Sequence, residues 1–109
     1  IAGIDGERFA SGREAKRWLV LKVLEGAGRI RNLRRQVRFD LHCPTAATGP
    51  AKVTHYTADF TYDELAVAGL LAHPCWRAVV EDCKGFRERE YLLRKKWLRL
   101  EHGIELLET

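Results

Sequence analysis

Methionine is absent from the 109 residues, and proline and cysteine occur only three times each. A chain that begins at Ile1 and contains no methionine is expected to lack its genetic start, so native sequence is expected upstream. The first residues, IAGIDGERF, have no basic start followed by an apolar block, which argues against a secretory signal. No apolar run approaches the roughly 20 residues that a membrane span needs. Three cysteines, Cys43, Cys75 and Cys83, are few and odd in number for a disulfide scaffold, and point to a reducing cytoplasm. Internal repeats and low-complexity tracts are missing too, and the length suits a single domain over residues 1–109.

What is present is charge, unevenly spread. The chain carries 19 Lys and Arg against 15 Asp and Glu. Nine basic and two acidic residues lie between Gly12 and Arg38, and seven basic and three acidic between Lys84 and Glu101. The stretch from Phe39 to Cys83 reverses this, with two basic and six acidic residues. Basic surfaces attract polyanions through counterion release. An acidic pocket within such a surface would repel phosphate unless cations filled the gap, so the arrangement points to metal ions at a nucleic-acid backbone. Arginine outnumbers lysine thirteen to six, which favours phosphate contact.

The apolar pattern predicts a helix over residues 12–27. Ser11-Gly-Arg-Glu14 has the form of a capping box, Ala15, Trp18, Leu19 and Val23 recur at helical spacing, and Gly26 and Gly28 offer a stop. Alternation predicts strands over residues 37–43 and 53–62 and at Ala78–Lys84. In the second of these, Tyr56, Ala58, Phe60 and Tyr62 share one face and Asp59 belongs to the other. Asp63 to Arg77 reads as a short helix or an irregular excursion. A second helix is expected from Arg87 to His102, with Leu93, Trp97 and Leu100 as its buried stripe and Gly103 as its cap. Ile104 to Leu107 suggests an edge strand. The expected fold class is α/β, a mixed sheet flanked by helices.

Carboxylates placed on apolar strands need a reason, because burying charge is costly unless it is paired or bound to metal. Asp82 and Lys84 share a strand face after the apolar pair Val79-Val80, and Asp59 lies among aromatics and threonines. If the two strands are neighbours, Asp59 and Asp82 converge across the ladder. Mg²⁺ takes oxygen ligands and commonly uses one or two protein carboxylates. Glu14 would complete the cluster from the first turn of the helix, although its capping-box position explains it equally well. Lys84 would hold the attacking water. Glu81 should point to the opposite face from Asp82. A simple ion pair between Asp82 and Lys84, and a turn-capping Asp59, are the plainer alternatives.

The order Glu14, Asp59, then Asp82-Cys83-Lys84 resembles the PD-(D/E)XK nuclease signature. The segments FASGREAKRWLVLKVLEGAGRIRNLRRQVRFDL, YTADFTY and VVEDCKGFREREYLLRKKWLRLEHGIEL resemble short phage- and prophage-encoded endonucleases, over nearly the whole chain from Phe9 to Leu107. The layout is also similar to that of Holliday-junction resolvases, which act as dimers. The resemblance implies a restriction-endonuclease-like core and a Mg²⁺-dependent DNA endonuclease for branched substrates, with Mn²⁺ able to substitute. It implies a possible homodimer and a bacterial host cytoplasm. By the same resemblance Glu14, Asp59 and Asp82 are metal ligands, the Cys83 carbonyl is a further ligand, and Lys84 is the catalytic lysine. Departing from the pattern, the excursion from Asp63 to Arg77 is longer than the usual hairpin.

Secondary candidates for DNA contact are Gln36, the basic turn formed by Arg31, Arg34 and Arg35, and Arg94, Lys95 and Lys96 on the second helix. Each also reads as ordinary solvated surface. His42-Cys43, His73-Pro-Cys75 and Cys83 raise a zinc alternative, but their spacing matches no standard finger. The rival functions are an inactive DNA-binding module on the same fold and a restriction-type enzyme.

Overall fold

A computed structural model describes residue 9 and residues 11–45, 47–66, 74–83 and 88–109. The elements run α1 (Gly12–Gly26), β1 (Ile30–Cys43), β2 (Ala51–Ala66), β3 (Cys75–Asp82), α2 (Arg89–His102) and β4 (Leu106–Glu108). The four strands form one sheet in the order β1-β2-β3-β4. The first three pair antiparallel and β4 pairs parallel to β3, so the sheet is mixed and the class is α/β.

The helix boundaries follow from local chemistry. The Ser11 hydroxyl accepts the Glu14 backbone N–H at 3.2 Å, satisfying a donor that the first turn leaves open. At the other end of the chain, α2 stops at Gly103, whose φ of 69° is left-handed and suits a residue without Cβ.

The strands are longer than alternation predicted. The expected basic turn at Arg31–Arg35 lies within β1, where Arg31 pairs with Asp63 and Arg35 with Phe60. Both ends of the expected excursion are ladder as well, because β2 continues to Ala66 and pairs it with Cys75. Residues 67–73 lie outside the described residues.

Two cores cover the sheet. One gathers Phe9, Ala15, Trp18, Leu21, Ile30, Phe60 and Tyr62 beneath α1, and Trp18 stacks on Phe60 at 6.1 Å between centroids. The other gathers Leu41, Tyr56, Ala58 and Leu98 beneath α2, with Tyr91 and Trp97 packed against it. They occupy opposite faces: on β3, Val79 packs on the first and the next residue, Val80, on the second.

The predicted single stripe of Tyr56, Ala58, Phe60 and Tyr62 is therefore split between the two faces. The reason is a break in alternation at one cross-strand position. Gln36 has φ 51°, and the β1–β2 ladder omits the Gln36–Asp59 pair while pairing the residues on both sides of it. A left-handed residue turns the chain by more than a regular strand step, so the parity of β1 and β2 reverses there. Asn32, with φ 57°, marks a second irregularity in β1, between Arg31 and Arg34.

Both helices bury faces that match the expected ones only in part, through Ala15 and Trp18 on α1 and Trp97 on α2. α1 buries Glu14, Ala15, Trp18 and Leu21, while Leu19 and Val23 are exposed. On α2, Leu93 and Leu100 are exposed, and the buried residue is Leu98. The correction has a geometric cause: α2 docks through Tyr91, Trp97 and Leu98, so of the expected stripe Trp97 packs on the sheet while Leu93 and Leu100 fall beside the docking face. Leu98→Ala is expected to cost about 2–5 kcal/mol, as for other fully buried leucines. Leu100→Ala, 71% exposed, should stay within about 0.5 kcal/mol. Urea denaturation of the two variants checks the face.

Candidate active site

Two acids from distant parts of the chain meet at one amide. Glu14, buried in the first turn of α1, accepts from Arg35 Nη2 at 3.0 Å and from Gln36 Nε2 at 3.1 Å, both through Oε1. The same Gln36 nitrogen donates to Asp59 Oδ1 at 3.3 Å. Asp59 Oδ2 accepts the backbone N–H of Cys83 at 2.9 Å. That contact takes over where the β2–β3 ladder ends, at the pair Phe60 and Glu81.

The break in alternation builds this site. Arg35 and Gln36 are consecutive residues of β1, yet both side chains reach Glu14 on the α1 side. A left-handed backbone at a non-glycine residue costs about 1–3 kcal/mol and persists where the surroundings enforce it, often at functional sites. The Arg35 guanidinium lies 4.0 Å from the Phe9 ring centroid and is mostly buried, so its charge offsets Glu14 with little screening.

Asp82 does not join the pair. It is fully buried, and its Oδ2 accepts the Tyr56 hydroxyl within the α2-side core. Burial, and then the bond to Asp82, push the Tyr56 hydroxyl far above its ordinary pKa, so it stays a neutral donor. The expected convergence of Asp59 and Asp82 is corrected accordingly. In a regular ladder the two would face each other, but Asp59 sits at the parity reversal and turns to the α1 side. Among the described residues, no group of three or more His, Cys, Asp or Glu side chains is placed to hold a metal ion.

Glu81, expected on the far face, is the acid that β3 sends toward α1. It is fully buried, and its carboxylate takes a bidentate pair from Arg17, Nε at 2.7 Å and Nη2 at 2.9 Å. The Tyr62 hydroxyl donates to it at 2.7 Å and the Thr109 hydroxyl at 3.2 Å. The hydrogen bond to Glu81 raises the already high Arg17 pKa, and burial followed by the bond to Glu81 raises that of Tyr62. Its adjacency to Asp82 was the sole signal in the sequence, since alternation obliges one of the two to face each core.

The remaining candidates divide. Lys84 lies outside the described residues. Gln36 is part of the acidic cluster and exposed enough to meet solvent. Arg31 bonds Asp63 at 3.4 Å and lies 4.3 Å from the Trp76 ring centroid, while Arg34 is exposed beside Val37 and Ile104. Arg35 serves Glu14 inside the fold instead of the surface. Arg94 pairs with Glu90 at 2.5 Å and Lys95 with Glu108 at 2.8 Å, which ties both into α2 and β4. Lys96 is exposed. For the zinc alternative, Cys43 and Cys75 are exposed and His73 lies outside the described residues.

No protein family, curated protein or solved structure matches the chain. No helix among the described residues is long and apolar enough to cross a membrane.

The geometry carries two expected outcomes. Arg17→Met leaves Glu81 buried without its cation and should cost about 3–5 kcal/mol in urea denaturation, of which Arg17→Met/Glu81→Leu recovers most. Burial pushes the Cys83 thiol up and shields it, whereas Cys43 and Cys75 are exposed to reagent. Ellman's reagent should titrate those two quickly in the native protein, with Cys83 lagging until denaturant is added.

Proposed function

We propose that the chain is a metal-dependent DNA endonuclease of the PD-(D/E)XK class, built on a restriction-endonuclease-like core and selecting branched DNA. The observation that carries this reading is the meeting of Glu14 and Asp59 at Gln36, on a backbone held in a left-handed conformation. The donor set fits Mg²⁺, a hard cation that commonly needs only one or two protein carboxylates. Glu14 and Asp59 would hold it, with the Cys83 carbonyl and substrate phosphate completing its shell. When bound, it supplies an acidified water and positive charge at the scissile phosphate.

In this reading the chain's own groups do the positioning. Arg35 partly neutralises Glu14, so that the pair of acids does not repel the incoming phosphodiester. Lys84, next in the chain after Cys83, is assigned to orient the attacking water and offset charge in the transition state. Exposed Arg34 and Lys96 are assigned to backbone phosphates, which suits recognition by shape. A homodimer would bring two such centres to two strands.

A second reading is a DNA-binding module without hydrolysis. It is favoured by the placement of Asp82 against Tyr56, which leaves two acids where the family signature has three.

Four-way junction DNA with Mg²⁺ tests the proposal. Wild type should cleave it, and Asp59→Ala and Lys84→Ala should each lose at least about a hundredfold, the equivalent of several kcal/mol of transition-state stabilisation. Salt-sensitive binding without cleavage, unaffected by either substitution, establishes the second reading instead. Asp82→Asn in the same assay decides whether Asp82 belongs to the ligand set.

A further inference from the structure

Gln36 holds an unusual position for a neutral side chain. One Nε2 atom stands between two carboxylates, 3.1 Å from Glu14 Oε1 and 3.3 Å from Asp59 Oδ1. The amide therefore occupies the space between the two acids, where a shared cation would have to sit. It is brought there by its own backbone, since φ of 51° turns its side chain to the same face as that of Arg35.

We infer that Gln36 is a reversible element of the metal site: its amide donates to Glu14 and Asp59 when no cation is present, and turns to offer Oε1 to the cation when one binds. The inference rests on the metal-dependent reading given above. Its physical basis is the amide dipole. Between two anions only the NH₂ end is favourable, and beside a divalent cation only the carbonyl oxygen is, and rotation about one terminal bond exchanges them. A lysine at this position would neutralise the acids permanently and compete with the ion. A carboxylate would add a third negative charge to a cluster in which Arg35 answers only one. Glutamine can satisfy both states, and its exposure leaves the end group room to turn. Amide oxygens are ordinary ligands for hard cations.

Mn²⁺ binding to the purified protein, read as loss of the free-ion EPR signal, tests this together with the thermal midpoint in chelator. Wild type should bind Mn²⁺ and Asp59→Asn should not. Gln36→Leu keeps the size of the side chain but offers neither end. It should lower the metal-free midpoint and weaken Mn²⁺ binding about tenfold, in the range found for groups that support a metal site. Gln36→Glu can only offer oxygen; it should lower the metal-free midpoint yet bind Mn²⁺ at least as tightly as wild type. If Gln36→Leu binds Mn²⁺ as well as wild type or better, the amide is only a spacer and the inference fails. If Gln36→Leu does not fold, weaker binding by Gln36→Glu than by wild type overturns it equally. A wild type that binds no Mn²⁺ defeats the metal-dependent reading itself, an outcome separate from either Gln36 result.

Discussion

One reversal of strand parity organises the molecule. At Gln36 in β1 and Asp59 in β2 the ladder omits a pair, and the side chains that follow exchange faces. Without it, Tyr56 and Ala58 would lie under α1 with Phe60 and Tyr62, and α2 would have no apolar floor from β2. With it, two long strands serve two separate cores. The same break exposes side-chain donors and acceptors that regular pairing would have pointed elsewhere, which is how Gln36 comes to touch both Glu14 and Asp59. Packing and the candidate chemistry thus share one cause.

Buried acids stabilise this arrangement only because each is answered. Glu81 has a guanidinium, a phenol and a hydroxyl around it, and Arg17, Tyr62 and Thr109 come from three different parts of the fold. Removing water from such a group costs several kcal/mol, so the contacts largely offset that cost instead of adding net stability. What they provide is position. Arg17 sits one turn after Glu14 on α1, so its clamp to β3 sets how far Glu14 stands above Asp59. Asp82 makes a corresponding tie on the other face, to Tyr56 beneath α2.

The outlines were legible in the sequence, and the faces were not. Ser11 and Gly103 marked helix ends because capping is local chemistry that a short window contains. The alternation in VRFDLHC and in VTHYTADFTY located strands, and Glu14 was placed near Asp59 by the family resemblance and by its reach from the first turn of α1, not by alternation. Alternation then misled at the point where it mattered. Counting by twos from Tyr56 to Tyr62 assumes an unbroken ladder, and nothing in the residue types at Gln36 or Asp59 announces a left-handed turn. The same assumption put Asp82 beside Asp59. Leu93 and Leu100 read as core because spacing defines a stripe on a helix without saying which of several stripes docks; that depends on Tyr56, Ala58 and Leu41, which are contributed by other elements.

The parity reversal also limits how this hairpin tolerates changes in length. Substituting Gln36 alters one side chain, but deleting it restores regular alternation through β1. Because Arg35 and Gln36 share the α1 face, Phe39 and Leu41 would keep their place beneath α2, but Asp59 would be left in β2 with no residue opposite it. A single-codon deletion there accordingly costs the hairpin its register at Asp59 as well as the amide between the two acids. Compensation would have to come as a matched loss opposite, at Asp59, so the two strands can shorten only in step.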